Sequence, residues 1–170
     1  ATPTKVGLRF QPMPPTLDGM AYMKDASFKD QARDIPLAGD YAAIRWIQDQ
    51  VVGTPTVLEA QLSEYKWGSR VSVYTGLPTV LGWAGHQRQQ RMGYQWMIDE
   101  RSRDIKTIYD STNAATAMGL LRKYGVRLVY LGELERATYS PKGLAKFDTL
   151  AGSELTVVYR SEGVTVYEVN

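Results

Sequence analysis

The residues best suited to chemistry gather between Val57 and Arg91. Glu59 closes the apolar run VLE, and His86, the only histidine of the chain, follows the apolar run PTVLGW. A carboxylate and an imidazole at one opening can bind a metal, relay a proton or hold a sugar hydroxyl. In open α/β sheets ligands bind beyond the carboxyl ends of the strands, where the loops diverge. The spacing therefore predicts that Glu59 and His86 face one crevice. A single histidine with no second His or Cys nearby is a poor metal site, which leaves polar-ligand binding or a bond to a loop carbonyl for His86. Arg70, Arg88 and Arg91 can grip a phosphate or carboxylate with paired N–H donors, or close ion pairs to Glu59, Glu64 or Asp99. Tyr65, Trp67 and Trp83 offer flat faces for stacking on a sugar ring, or serve as core. Counting His86 as neutral, no residue between Arg70 and Arg88 is charged, yet Tyr, Ser, Thr and Trp are frequent. That mixture predicts a polar pocket walled by a buried sheet.

Other chemistries lack their signatures. Neither GxGxxG nor a Walker loop occurs, so a phosphate-cradling turn is not expected. No GxSxG elbow is present. The chain has no cysteine, which excludes disulfides and thiolate metal sites. Glu133 and Glu135 are expected in a loop as a solvated pair rather than as glycosidase carboxylates.

The elements that must position these groups follow from periodicity. Residues 1–16 hold Pro3, Pro12, Pro14 and Pro15 and read as an extended tether. Residues 17–170 read as one α/β domain. LDGMAYM (17–23) turns at Asp18-Gly19 and is expected against the domain surface. Helix is expected from about Asp40, as N-cap, to Val52, with Tyr41, Ile44, Ile47 and Val51 on its buried side and Trp46 off it. TPTVLEA (54–60) and PTVLGW (78–83) are predicted strands, with a short helix between them stopping at Thr75-Gly76. Helix follows from Arg88 to Tyr109, broken near Gly93 and near 101–103, and again from Asn113 to Tyr124 with Gly125 as its stop. VRLVYLG (126–132) is the third predicted strand, LAKF adds one helical turn, and 155–169 forms a hairpin around Ser161-Glu162-Gly163. The helix–Gly–strand order predicts a Rossmann-like, three-layer domain whose sheet is mainly parallel and ends in an antiparallel hairpin.

Composition narrows the function classes. The 170 residues suffice for one domain that buries roughly two thirds of its unfolded surface. Basic and acidic residues number 20 and 18, so the pI of 8.8 reflects near balance and gives no support to nucleic-acid binding. No apolar run reaches the ~18–20 residues of a membrane helix. Without an initiator Met before Ala1, the chain is expected to begin within a longer protein.

Several segments together resemble the C-terminal soluble part of the YYY-type polytopic membrane proteins. They are LDGMAYM (17–23), GDYAAIRWIQDQVVGTPTVLEA (39–60), SRVSVYTGLPTVLGWAGHQ (69–87) and IYDS…LLRKYGVRLVYLGELER (108–136). That family is similar to the GT-C membrane glycosyltransferases, which take sugar from a lipid-phosphate donor. The resemblance implies a domain on the extracytoplasmic face, above a membrane-spanning region that is its partner. It implies that catalysis, and any divalent metal, belongs to loops outside this chain. The domain itself then needs no cofactor, and helps bind or gate a glycan acceptor or a lipid-linked sugar. Candidate binding residues are Glu59, Tyr65, Trp67, Arg70, Trp83, His86, Gln87 and Arg91. The chain departs from the family at His86-Gln87, where His-Glu is frequent, and the lost charge weakens an acid/base or metal role there. A more distant likeness is to the soluble domain of the oligosaccharyltransferase catalytic subunit, whose WWDYG loop YKWGSR (65–70) does not match. Two alternatives remain: a self-contained glycan hydrolase acting through Glu59, and a docking module using exposed aromatics such as Trp46.

Overall fold

In the computed structural model, which describes residues 15–30 and 33–170, the apolar run VRLVYL forms the strand around which the rest packs. This strand, β4 (Val126–Leu131), is buried at every position but Arg127. It lies inside a four-stranded sheet with β3 (Thr56–Leu58), β5 (Leu155–Ser161) and β6 (Val164–Val169), in the order β3-β4-β6-β5. Alternation along β4 divides the core. Leu128 and Tyr130 pack with Ala43 and Ile47 of α1 (Ala38–Gln50) and with Val71 of α2 (Arg70–Thr75). Val129 and Leu131 pack with Ile105 and Ile108 of α4 (Gln95–Asp110), Leu121 of α5 (Ala114–Lys123) and Phe147 of α7 (Pro141–Leu150). Period-two side-chain direction on a strand thus serves two sets of helices. Two shorter helices, α3 (Ala84–Gln90) and α6 (Glu133–Thr138), complete the set.

Local signals worked where they were complete. Asn113 caps α5 by accepting the Thr116 N–H at 3.0 Å, and Gly125, at φ 58°, supplies the left-handed stop. The hairpin turns on Glu162 (φ 47°) and Gly163 (φ 74°), the two successive positive angles that a tight, right-twisted hairpin requires. Asp18 anchors the N-terminal segment, taking the Met20 N–H and the Tyr41 hydroxyl, and Met20 and Met23 sink against Leu37 and Ile44. A two-stranded antiparallel sheet, β1 (Ser27–Asp30) and β2 (Arg33–Pro36), leads into α1. All of the expected tether except Pro15 and Thr16 lies outside the described residues.

Five expectations are corrected. The sheet is mixed, because only β3–β4 is parallel while β4–β6 and β6–β5 are antiparallel. PTVLGW is not a strand: it touches β3 through one bridge, Val57 to Thr79, since Pro78 and Gly82 do not sustain a ladder. Asp40 is not an N-cap. It lies inside the first turn of α1, its carboxylate turned inward, and Leu37 holds the cap position without a side-chain bond. Helix α4 runs unbroken through 101–103, where long polar side chains tolerate helix, and Gly93 (φ 87°) makes the one interruption. LAKF lies in the ten-residue α7, opened by Pro141 at its first position.

Candidate functional site

Two groups of polar residues stand out, one inside and one at the surface. The inner one is built on Arg70, delivered by a turn in which Ser69 adopts φ 65°. Its Nε donates to Asp40 Oδ2 at 2.6 Å, and its Nη1 and Nη2 donate to Glu135 at 3.1 and 2.8 Å. Asp40 also accepts from Trp67 Nε1 at 2.6 Å and from the Tyr130 hydroxyl at 2.7 Å. Glu135 accepts the Ala60 and Gly132 N–H groups, both at 2.8 Å. Every strong acceptor position is filled, as a buried ion network requires. Burial alone lowers the Arg70 pKa, but Asp40 and Glu135 overcome it and hold the guanidinium firmly charged.

Glu59 belongs to the same interior. It is 2% exposed, and its two oxygens take the N–H groups of Val71 and Ser72 at 2.8 and 2.9 Å, at the first turn of α2. Burial lifts its pKa to about 7, against the Arg70 charge and the two N–H bonds. Here four segments, two helix starts and the ends of two strands, are tied together: 40, 59–60, 70–72 and 130–135.

The surface group comprises Tyr65, Trp83 and His86. Their ring centroids lie 5.2 to 5.4 Å apart pairwise, and His86 Nε2 is 2.9 Å from the Tyr65 hydroxyl. Tyr65 is 79% exposed and adopts φ 61°, a strained angle for a non-glycine residue. The Trp83 indole N–H donates to the Gly68 carbonyl at 3.3 Å, fixing one side of the cluster. Glu64 fixes the other by accepting the Gly85 N–H at the start of α3. A Cβ at position 85 would lie 2.5 Å from Glu64 Oε1, so a glycine is what lets the carboxylate approach.

A cleft of about 720 Å³ is lined by residues 79–82, Gln87, 89–92, Tyr94, 97–98 and Arg101, of which Gly82 and Gln87 are chain neighbours of Trp83 and His86. Arg101 is tied to its wall through the Val80 carbonyl at 2.8 Å. Among the described residues, the buried Gln87 Oε1 in the cleft accepts no hydrogen bond, and the exposed Arg91 forms no ion pair.

The candidate residues therefore separate. Tyr65, Trp83 and His86 cluster together, and Gln87 and Arg91, in and just after the same helix as His86, line the cleft. Glu59 and Arg70 are buried and Trp67 is half-buried, and Glu59, with both oxygens bonded to α2, does not open onto a crevice shared with His86. Arg88 pairs with Asp99 at 2.5 Å, the intradomain option. Trp46 packs on Tyr159 of the hairpin at 5.3 Å, as rim packing rather than as a free docking face. Glu135, expected in solvent, is 0% exposed. It and Asp40 were missed as partners of Arg70. One signal was present for Glu135: a glutamate three residues after a strand-ending glycine occupies the N3 position of a helix start.

Among the described residues no group of three or more His, Asp or Glu side chains is arranged to hold a metal ion, and no helix is long and apolar enough to cross a membrane. No family model and no curated protein matches the chain. Among solved structures, the chain is similar to the C-terminal globular domain of oligosaccharyltransferase from Archaeoglobus fulgidus. The match covers 76% of this chain and 95% of that one, at 13% identity and a TM-score of 0.48.

Proposed function

We propose that this chain is a glycan-binding extracytoplasmic domain of a GT-C-like membrane glycosyltransferase, and that it is not catalytic alone. Its role is to hold a glycan acceptor or a lipid-phosphate sugar for reaction at loops outside the chain. The observation that carries the proposal is the convergence of Tyr65, Trp83 and His86 at the surface beside a cleft holding Gln87 and Arg91. Ring faces stack on the C–H face of a sugar, the amide and imidazole exchange hydrogen bonds with hydroxyls, and the guanidinium takes a phosphate. The family resemblance of 17–136 points to the same class of ligand.

The carboxylates support binding rather than hydrolysis. Asp40, Glu59 and Glu135 are buried and bonded, and glycoside cleavage needs two carboxyl groups flanking a substrate. Titration calorimetry with short oligosaccharides and with a polyprenyl phosphate sugar tests the proposal. Binding weakened about tenfold by Trp83→Ala, the loss of roughly one aromatic contact, is expected. Binding unchanged by Trp83→Ala and Tyr65→Ala together would defeat it, as would turnover of an aryl glycoside by the isolated chain that Glu59→Gln abolishes.

A further inference from the structure

The turn between α3 and α4 exposes apolar surface at an unusual density. Met92 is 81%, Tyr94 57% and Trp96 61% exposed, all within five positions. No hydrogen bond or ring contact engages the side chains of Met92, Tyr94 or Trp96 among the described residues. Gly93, at φ 87°, folds the chain back so that Met92 and Tyr94 flank the tip of the turn, with Trp96 on the first turn of α4. The cleft beside the turn is one-sided in charge: its lining holds Arg91 and Arg101 and no Asp or Glu. The next carboxylate along α4, Asp99, is engaged by Arg88, and Arg91 stands beside Met92 without a counter-ion among the described residues.

From this we infer that the 91–96 turn is a membrane-interface anchor, and that its partner is the anionic surface of a lipid bilayer. Tyr and Trp are the side chains that favour the boundary between headgroups and acyl chains, because an apolar ring enters while a polar tip stays wet. Met92 adds a flexible apolar insert, and Arg91 meets lipid phosphate. The lack of carboxylates in the cleft lining, and the pairing of Asp99 with Arg88, reduce the repulsion that an anionic surface would otherwise meet. A second copy of the chain would bury the same side chains but gives no reason for one sign of charge. Anchoring here sets the cleft, whose rim includes Met92 and Tyr94, against the headgroup layer. The inference shares Arg91 with the glycan proposal and otherwise rests on Met92, Tyr94 and Trp96, which that proposal does not use.

The test is cosedimentation of the 170-residue chain with vesicles, read together with tryptophan emission. Vesicles of phosphatidylcholine containing about a third phosphatidylglycerol should bind it and shift the emission to the blue, while pure phosphatidylcholine binds weakly. Trp96→Ser should abolish the blue shift although Trp46, Trp67 and Trp83 remain, and Arg91→Ala should weaken binding about fivefold. Tyr65→Ala, which touches only the ring cluster, should leave vesicle binding unchanged. Equal binding to both vesicle types, a blue shift surviving Trp96→Ser, or no binding to anionic vesicles would overturn the inference. So would concentration-dependent dimerisation without lipid that Trp96→Ser abolishes, because a second copy would then be the occupant.

Discussion

The Arg70 network and the Tyr65–Trp83–His86 cluster both draw on the 57–91 stretch, yet they do opposite things. In the first, every donor and acceptor is matched inside the protein, and the arrangement fixes where four segments meet. In the second, rings are held in place by a few bonds at their edges while their outward faces stay open. Satisfied polarity makes structure, and positioned but uncommitted polarity makes a site. The strongest electrostatics in this molecule thus mark its framework.

The largest effects should come from breaking the inner network. Arg70→Ala leaves Asp40 and Glu135 buried without their cation, a loss on the order of 3–5 kcal/mol, enough to unfold a marginal domain, read as a collapsed urea midpoint. Arg70→Lys should fare little better, because an ammonium cannot serve both carboxylates with a planar fork.

Glu59 gives the network a pH dependence. Its folded pKa of about 7 lies above the ordinary 4.5 of a glutamate, so the folded state holds the extra proton between those values. Its contribution is fully present below about pH 4.5 and is lost as pH rises through about 7, a fall of up to about 3 kcal/mol. Urea midpoints should therefore decline from about pH 5 to about pH 8, and Glu59→Gln should flatten that decline. It should also lower stability at pH 5 by about 1–3 kcal/mol, since an amide NH₂ would face one of two backbone donors. A midpoint that rises over this range would contradict the assignment.

Changes at the surface cluster should reverse the pattern. Tyr65→Ala removes an exposed ring at a strained backbone angle, so stability should move by less than about 0.5 kcal/mol while sugar binding falls about tenfold. Tyr65→Gly, relieving the positive φ, should be neutral or slightly stabilising and still fail to bind. Smallest of all, Trp46→Phe, which keeps a ring against Tyr159, should change neither quantity measurably.

Sequence legibility followed the reach of each signal. Asn113 with Gly125, and Glu162-Gly163 between two alternating runs, carry their whole instruction within a few residues, and both elements formed as expected. PTVLGW has the composition of a strand, but pairing is decided by a partner, and β3 offers it one bridge before β4 takes over the ladder. Parallel order was inferred from α5–Gly125–β4, which is right for β3–β4. It does not extend to β6, whose direction the hairpin and the loop before it determine. At the site, aromatic and polar density in 65–91 marked the stretch that holds the surface proposed here. It did not separate Arg70, whose acceptors lie 30 and 65 positions away, from Arg91, which has none among the described residues. The fate of a charged side chain depends on distant partners that no local pattern names.

Nuclear magnetic resonance mapping of a short oligosaccharide titration offers the most direct check on the glycan-binding surface. The shifts should centre on the Trp83 indole N–H, the His86 ring, and the amides of Gln87 and Arg91, with the Leu155–Val169 hairpin silent. Shifts confined to that hairpin, or none at saturating sugar, would contradict the account.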